Sequence, residues 1–309
     1  MRPGRVGSPW EVIRLSSALF MLLALVASAA DTQQPTSQPV IAPDPDVQAH
    51  KAVCFPPERF PRVATHDFGG VVVWTDLPES PKPLEQELKK MLALLEEWLP
   101  TRTTDTAPAG ASRATTGQAP ARPVCLALYA RHKDYQELWP RVGRLYAGQF
   151  PEITTQGYSY RVFCATSAED ADAAGAWLGV VCHELAHVWL YQRAGLANDG
   201  NWLTEGIATA LQMRLFPASA DRREFAERLE RGRCLPLKRL MDQARIEPKD
   251  RWQAGTFVEL LLAEHAGKLS AVARAFNAGR SASAVVADVL GTDFQTLDGR
   301  WARRVRARE

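Results

Sequence analysis

The 309-residue sequence has no excess of charge of either sign. It carries 37 Lys and Arg against 35 Asp and Glu, for a formal net charge of +2. A nucleic-acid binder needs a strong basic excess or patch, so no nucleic-acid partner is expected. A disordered chain of high net charge is equally unsupported. No Cys-x-x-Cys pair occurs among Cys54, Cys125, Cys164, Cys182 and Cys234, which weakens zinc-ribbon and thiol-redox readings. Beyond the N-terminus no run approaches the roughly 18 apolar residues of a membrane helix, and no internal repeat is found. What remains is an ordinary globular composition, 46% hydrophobic and 23% charged. The length suits one large domain or two lobes around a sizeable core.

The N-terminus reads as a processing signal. Arg2, Arg5 and Arg14 precede an apolar run from Leu15 to Val26, and Ala27-Ser28-Ala29 offers a small-x-small cleavage site. A secretory signal peptide over residues 1–30 is expected; the alternative is an uncleaved anchor, for which the apolar run is short. The mature protein is then expected outside the cytoplasm, secreted or periplasmic, with no stable membrane span after cleavage. That compartment permits disulfides. An odd count of five cysteines leaves at least one thiol unpaired in a monomer, with the pairing open.

Residues 31–50 are Pro, Gln, Thr, Ser and Asp with little apolar content, which predicts a flexible spacer. A second soft stretch, residues 101–123, predicts an exposed loop. Between them, Val71–Thr75 is β-branched and aromatic, a strand signal. Leu84, Leu88, Met91, Leu95 and Trp98 then form one apolar stripe of an amphipathic helix. Val124–Tyr129 predicts a second strand and Tyr158–Cys164 a third. From Ala173 the chain reads as almost wholly helical. A helix over 173–194 is stopped by Gly195, and another spans 204–215. Further helices are expected near 221–231, 251–266, 269–278, 281–290 and 293–307, the last opened by a Thr292/Gln295 capping box. The expected class is α+β: a small mixed-sheet lobe over 51–172, a helical lobe over 173–309, and a long helix between them, all within one domain over 51–309.

That long helix carries His183-Glu184-Leu185-Ala186-His187. Histidines at i and i+4 project from one helix face, so two imidazoles can grip one Zn²⁺. Glu184 lies about 100° around the helix from His183, placed to act beside a metal without ligating it. The bland reading of such a pattern is a pair of satisfied core histidines. A catalytic zinc needs a third protein ligand and an open fourth position. Glu205 supplies a candidate, in the apolar setting Trp202-Leu203-Thr204-Glu205-Gly206-Ile207-Ala208, one helix after the two histidines.

His183-Glu184-Leu185-Ala186-His187 followed by Trp202-Leu203-x-Glu205-Gly206-x-Ala208 resembles the gluzincin, or peptidase MA-like, zinc metallopeptidases, particularly secreted uncharacterised members. The likeness follows the order of elements over residues 70–305, with its specific motifs in 180–210. It implies a zincin-like two-lobed fold, one zinc per chain on His183, His187 and Glu205, and Glu184 as general base. A sheet edge above the cleft is implied as well. Two departures stand out. The aminopeptidase branch carries a Gly-x-Met-Glu-Asn strand motif that has no counterpart here, which tilts the expectation toward an endopeptidase. Where that branch has Tyr-x-x-Gly, this chain has Trp252-Gln253-Ala254-Gly255. The oxyanion donor is therefore open among Tyr158, Tyr160, Tyr191 and His265, for each of which a core or surface role is the simpler reading.

The expected function is a zinc metallopeptidase acting on a peptide or protein substrate. One rival is a zinc-binding domain without catalysis that serves as an extracytoplasmic binding module, and another is a metal-free scaffold. Cys182 reads as a buried thiol, and Trp177, Trp189 and Trp301 as core. His50, His66 and His132 carry no spacing signal. Arg300, Arg303, Arg304, Arg306 and Arg308 read as a solvated helix end. Oligomeric state is not encoded in any recognisable feature.

Overall fold

The strand Val124–Tyr129 is apolar at nearly every position, and all six of its residues are buried. Such a strand needs cover on both faces, and the computed structural model supplies it. The structure describes residues 47–78, 82–100, 122–145, 156–160, 162–169, 176–217, 228–265 and 267–307. All of these lie in the compact unit Asp44–Glu309.

The first elements are helix α1 (Val47–Cys54), strands β1 (Ala64–Asp67) and β2 (Val71–Thr75), and helix α2 (Lys82–Trp98). Strand β3 (Val124–Tyr129), helices α3 (His132–Gln136) and α4 (Trp139–Leu145), and strands β4 (Gly157–Tyr160) and β5 (Phe163–Ser167) complete the first part. The sheet order is β1-β2-β3-β5-β4. The three central strands run parallel, and β1 and β4 are antiparallel edges. Side chains alternate across β3. Val124, Leu126 and Leu128 join Leu84, Leu88, Met91 and Leu95 of α2 on one face. Cys125, Ala127 and Tyr129 meet Cys54, Tyr135 and Trp139 on the other.

The second part is helical. Helix α5 (Ala176–Trp189) continues through a π turn, Leu190–Ala194, and stops at Gly195, whose φ of +67° needs no strain without a side chain. Then come α6 (Trp202–Leu215), α7 (Leu237–Asp242), a 3-10 turn at Pro248–Asp250 and α8 (Arg251–Glu264). Helix α9 (Leu269–Asn277), α10 (Ala282–Ala284) with a π turn Val285–Leu290, and α11 (Phe294–Arg306) close the chain. Helix α6 is the centre of this layer, buried continuously from Trp202 to Leu211.

The mixed α+β class expected from the sequence is present. Several local expectations need correction. The single strand over 158–164 is two strands: the chain reverses, and Tyr160 pairs with Phe163 across the turn. Both halves are aromatic and β-favouring, so no breaker residue marks the reversal. The spacer to residue 50 ends earlier, because α1 begins at Val47 and His50 is buried against the Phe163 ring, 5.5 Å between centroids. Strand β1 was not expected, being short and largely exposed. Helix α11 is capped by Asp293 rather than Thr292, its carboxylate accepting from the Thr296 N–H at 2.8 Å. The signal peptide, most of the spacer, the loop 101–121 and most of the 221–231 helix lie outside the described residues. Trp189 and Trp301 are buried, and Trp177 packs half-buried on the same core. Among the described residues no helix is long and apolar enough to cross a membrane.

Candidate metal centre

Helix α5 is a buried apolar segment interrupted by three titratable side chains. Val181, Cys182, Leu185 and Ala186 belong to the apolar core, while His183, Glu184 and His187 line a cleft. Cys182 is thus a core thiol, as expected. All five cysteines are free.

The third residue arrives by a short, tightly bonded connection. After Gly195 the chain turns through Asn198, Asp199 and Gly200, and Asn201 caps α6. Its side-chain oxygen accepts from the N–H groups of Leu203 at 2.9 Å and Thr204 at 3.0 Å. Its amide in turn donates to Asp199 and to the Ala197 carbonyl. Glu205 therefore sits in the first turn of α6, where the helix end favours a carboxylate. A bare backbone at Gly206 allows α8 to approach, since a Cβ there would stand 2.9 Å from the Ala254 carbonyl oxygen and from Val258 Cγ2. Gly255 is the mirror case, its Cβ position 2.7 Å from Thr209 Cγ2. Helices α6 and α8 thus cross at nearly backbone contact, which brings Arg251 beside Glu205.

The three candidate ligands converge. The Nε2 atoms of His183 and His187 are 3.3 Å apart. Glu205 Oε2 lies 3.5 Å from His183 Nε2 and 3.7 Å from His187 Nε2. Ligands about 2.0–2.1 Å from a tetrahedral zinc stand roughly 3.3–3.4 Å from one another. The triangle therefore has nearly the edge lengths that such an ion imposes. It is the one group of this kind among the described residues. Glu205 Oε2 is buried without a hydrogen-bond partner, which protein interiors rarely tolerate unless a water or an ion satisfies the atom. The Nδ1 atoms of both histidines also lack a protein partner among the described residues. Among the described residues the group holds two imidazoles and one carboxylate, with no cysteine and no fourth candidate ligand, and this buried group could bind a metal ion.

Electrostatics favour the ligating forms. Burial pushes His187 down to about 3, so its imidazole is neutral at ordinary pH. Burial opposes the charge on Glu205, but the two histidines and Arg251 outweigh it and hold the carboxyl down to about 2. Glu184 moves the other way. Burial raises it, with Glu205 adding to the rise, while His183, the Ser159 hydroxyl and Arg251 pull it back.

Glu184 is held from the sheet side. Ser159 on edge strand β4 donates its hydroxyl to the Glu184 carboxylate, and Asn198 Nδ2 donates to Ser159 Oγ at 2.8 Å. Gly157, two residues earlier on the same face of β4, permits the approach: a Cβ there would stand 2.7 Å from Val180 Cγ1 and 2.8 Å from Glu184 Cγ. Edge strand β4, helix α5, α6 and the start of α8 surround a cleft of about 540 Å³.

All four residues singled out in the sequence, His183, Glu184, His187 and Glu205, line this cleft. Of the proposed oxyanion donors only Tyr158 borders it, and its ring packs edge-on against Trp139, with centroids 4.7 Å apart. Tyr160, Tyr191 and His265 are not among the lining residues, whereas Trp252 is. His50, His66 and His132 sit elsewhere, against Phe163, Phe68 and Tyr135. Sequence reasoning missed Gly157, Ser159, Asn198 and Arg251. None carries a spacing pattern, and only the fold brings them to Glu184 and Glu205. Compared with protein-family models and with curated proteins, the chain matches none.

Proposed function

We propose that the protein is a zinc-dependent hydrolase of peptide bonds, gluzincin-like in fold and site, acting outside the cytoplasm as an endopeptidase. The observation that carries this reading is the triangle of His183 Nε2, His187 Nε2 and Glu205 Oε2, with edges of 3.3, 3.5 and 3.7 Å, opening on a cleft that Glu184 also lines. The donor set is that of a catalytic zinc, which keeps three protein ligands and an open position. A structural zinc would be closed by a fourth ligand.

His183, His187 and Glu205 would hold the ion. Bound there, zinc would supply a Lewis acid that eases deprotonation of water near neutral pH and polarises a carbonyl. Glu184 takes the proton from the attacking water as the new C–O bond forms. It then delivers that proton to the leaving amine as the C–N bond breaks. Its buried setting, which raises its proton affinity, suits a group that must accept and return a proton. Ser159 keeps the carboxylate oriented, and Asn198 keeps Ser159 oriented.

The test is Glu184→Gln beside His183→Ala. Purified protein is analysed for metal and incubated with casein and a peptide library, with and without chelator. One zinc per wild-type chain, chelator-sensitive cleavage, retained zinc without cleavage in Glu184→Gln, and lost zinc in His183→Ala are the expected results. Zinc-loaded protein that cleaves nothing would favour the binding-module reading, which the tryptophan at position 252, in place of a phenol, also favours. Absence of metal from the wild type would remove both. N-terminal sequencing of protein exported from its host tests the signal peptide.

A further inference from the structure

We propose that Arg251 is the anion-binding group of this cleft, donating to the oxyanion that develops on the scissile carbonyl. The proposal rests on the hydrolase reading above and fills the place in which the sequence offers no phenol.

Arg251 opens α8 and lines the cleft. Its Nε lies 3.0 Å from Glu205 Oε2, so the guanidinium stands beside one of the three candidate ligands. The approach is close in distance but is not aligned as a hydrogen bond, and Nε is buried without an acceptor. Among the described residues Glu205 is its only ion-pair partner, and Glu205 already faces two histidines. The side chain as a whole is 34% exposed and lines the cleft, while its Nε is buried. A guanidinium offers five donors in a rigid fork and stays charged at every working pH. One edge can lie along Glu205 while the other meets an anion.

The rival donors are placed less well. Tyr158 alternates with Gly157 and Ser159 along β4, and its ring turns to Trp139 on the opposite face of the sheet. Trp252 packs half-buried on the apolar core. Arg245 is exposed and lies along Gly200, its Nε 3.1 Å from where a Cβ would stand. Arg251 is held by the crossing at Gly206 and Gly255, so the cation beside Glu205 is set by the fold.

The experiment compares wild type, Arg251→Ala and Arg251→Lys, each loaded with zinc. Metal content is measured first, then kcat and KM on casein-derived peptides with free and with amidated carboxyl termini. The affinity of each zinc-loaded protein for inorganic phosphate is measured by calorimetry. Expected are unchanged zinc content, a fall in kcat of about 100- to 1,000-fold in Arg251→Ala, a partial return with added guanidinium, and a matching loss of phosphate affinity. Zinc lost from Arg251→Ala would make Arg251 a positioning residue for Glu205 and overturn the proposal. A rise in KM confined to free-acid peptides would make it an anchor for the substrate carboxylate, which also overturns it. If the wild type holds zinc but cleaves nothing, the hydrolase reading fails by itself. The phosphate titration then still decides whether Arg251 binds the anion, and unchanged affinity in Arg251→Ala rejects it.

Discussion

Replacing Gly157 by alanine puts a methyl group into the narrowest gap between β4 and α5. The new Cβ would stand 2.7 Å from Val180 Cγ1 and 2.8 Å from Glu184 Cγ. Carbon atoms settle at about 3.5–4.0 Å, so roughly 1 Å of separation must be found. The strand can lift from the helix, or the two side chains can move. Val180 is β-branched and stiff at χ1 within a helix. Glu184 has more freedom, but its carboxylate is bonded to Ser159 and enclosed. Either response moves Glu184 relative to His183 and His187.

Overpacking of this kind costs about 1–3 kcal/mol, which lowers Tm by roughly 2–12 °C in a domain of this size. Catalysis should fall as well, because a misplacement of about 1 Å costs on the order of 100-fold. Metal binding should be spared, since the histidine and Glu205 side chains are not the atoms struck. Urea denaturation, metal analysis and kcat/KM on casein-derived peptides read the three quantities separately. A Gly157→Ala protein with full zinc, wild-type Tm and kcat/KM within about threefold of wild type would refute the argument that bare backbone at position 157 sets the depth of Glu184.

Chelation should destabilise the folded protein. At a free zinc concentration 1,000-fold above Kd, ligation contributes about 4 kcal/mol, or roughly 8–16 °C in Tm; a melt in chelator that matches the melt in zinc contradicts the centre. Gly255→Ala should cost about 1–3 kcal/mol in urea denaturation, because its Cβ would stand 2.7 Å from Thr209 Cγ2 and 3.0 Å from Met213 Cε. Asp134 is buried between Arg59 and Arg131. Burial raises its carboxyl, but the bonds from Arg131 and Arg59 prevail and hold it below the ordinary value. A carboxyl lowered in the folded state adds stability above its unfolded pKa, and that stability is lost as pH falls through the folded one. Asp134→Asn should therefore cost about 1–2 kcal/mol at pH 7 in urea denaturation, with the gap from wild type closing below about pH 4; an equal gap at both pH values would exclude the charge as its source.

The cluster was legible in the sequence wherever it is local. His183 and His187 fall on one face because a helix repeats every 3.6 residues, and the helix was readable from its apolar flanks. Glu205 was readable because a carboxylate among Trp202, Leu203, Ile207 and Ala208 has to be buried, and a buried carboxylate needs a partner. Ser159 and Arg251 are different. One is separated from Glu184 by a strand reversal, and the other reaches Glu205 only because α6 and α8 cross at two glycines. Neither residue type nor spacing announces such meetings. The β4–β5 reversal was hidden for a related reason. Tyr158 to Phe163 is β-favouring on both sides of the turn, so the pattern alone could not show where one strand ended.

The residues that hold this site together are largely ones with no side chain. Two helices must meet to within a few tenths of an ångström for the His183, His187 and Glu205 atoms to stand 3.3–3.7 Å apart. Polar contacts alone are poor rulers at that scale, because long side chains adjust. Backbone against backbone is stiffer, since packed interiors transmit strain. Gly157 sets strand against helix on the Glu184 side, and Gly206 with Gly255 sets helix against helix on the Glu205 side. A chain could keep every titratable residue of the cleft and still lose their arrangement if either contact were filled by a methyl group, Glu184 being displaced at the first and Glu205 at the second. The His-Glu-x-x-His pattern is therefore necessary for the proposed chemistry without being sufficient, and the glycines make up much of the difference.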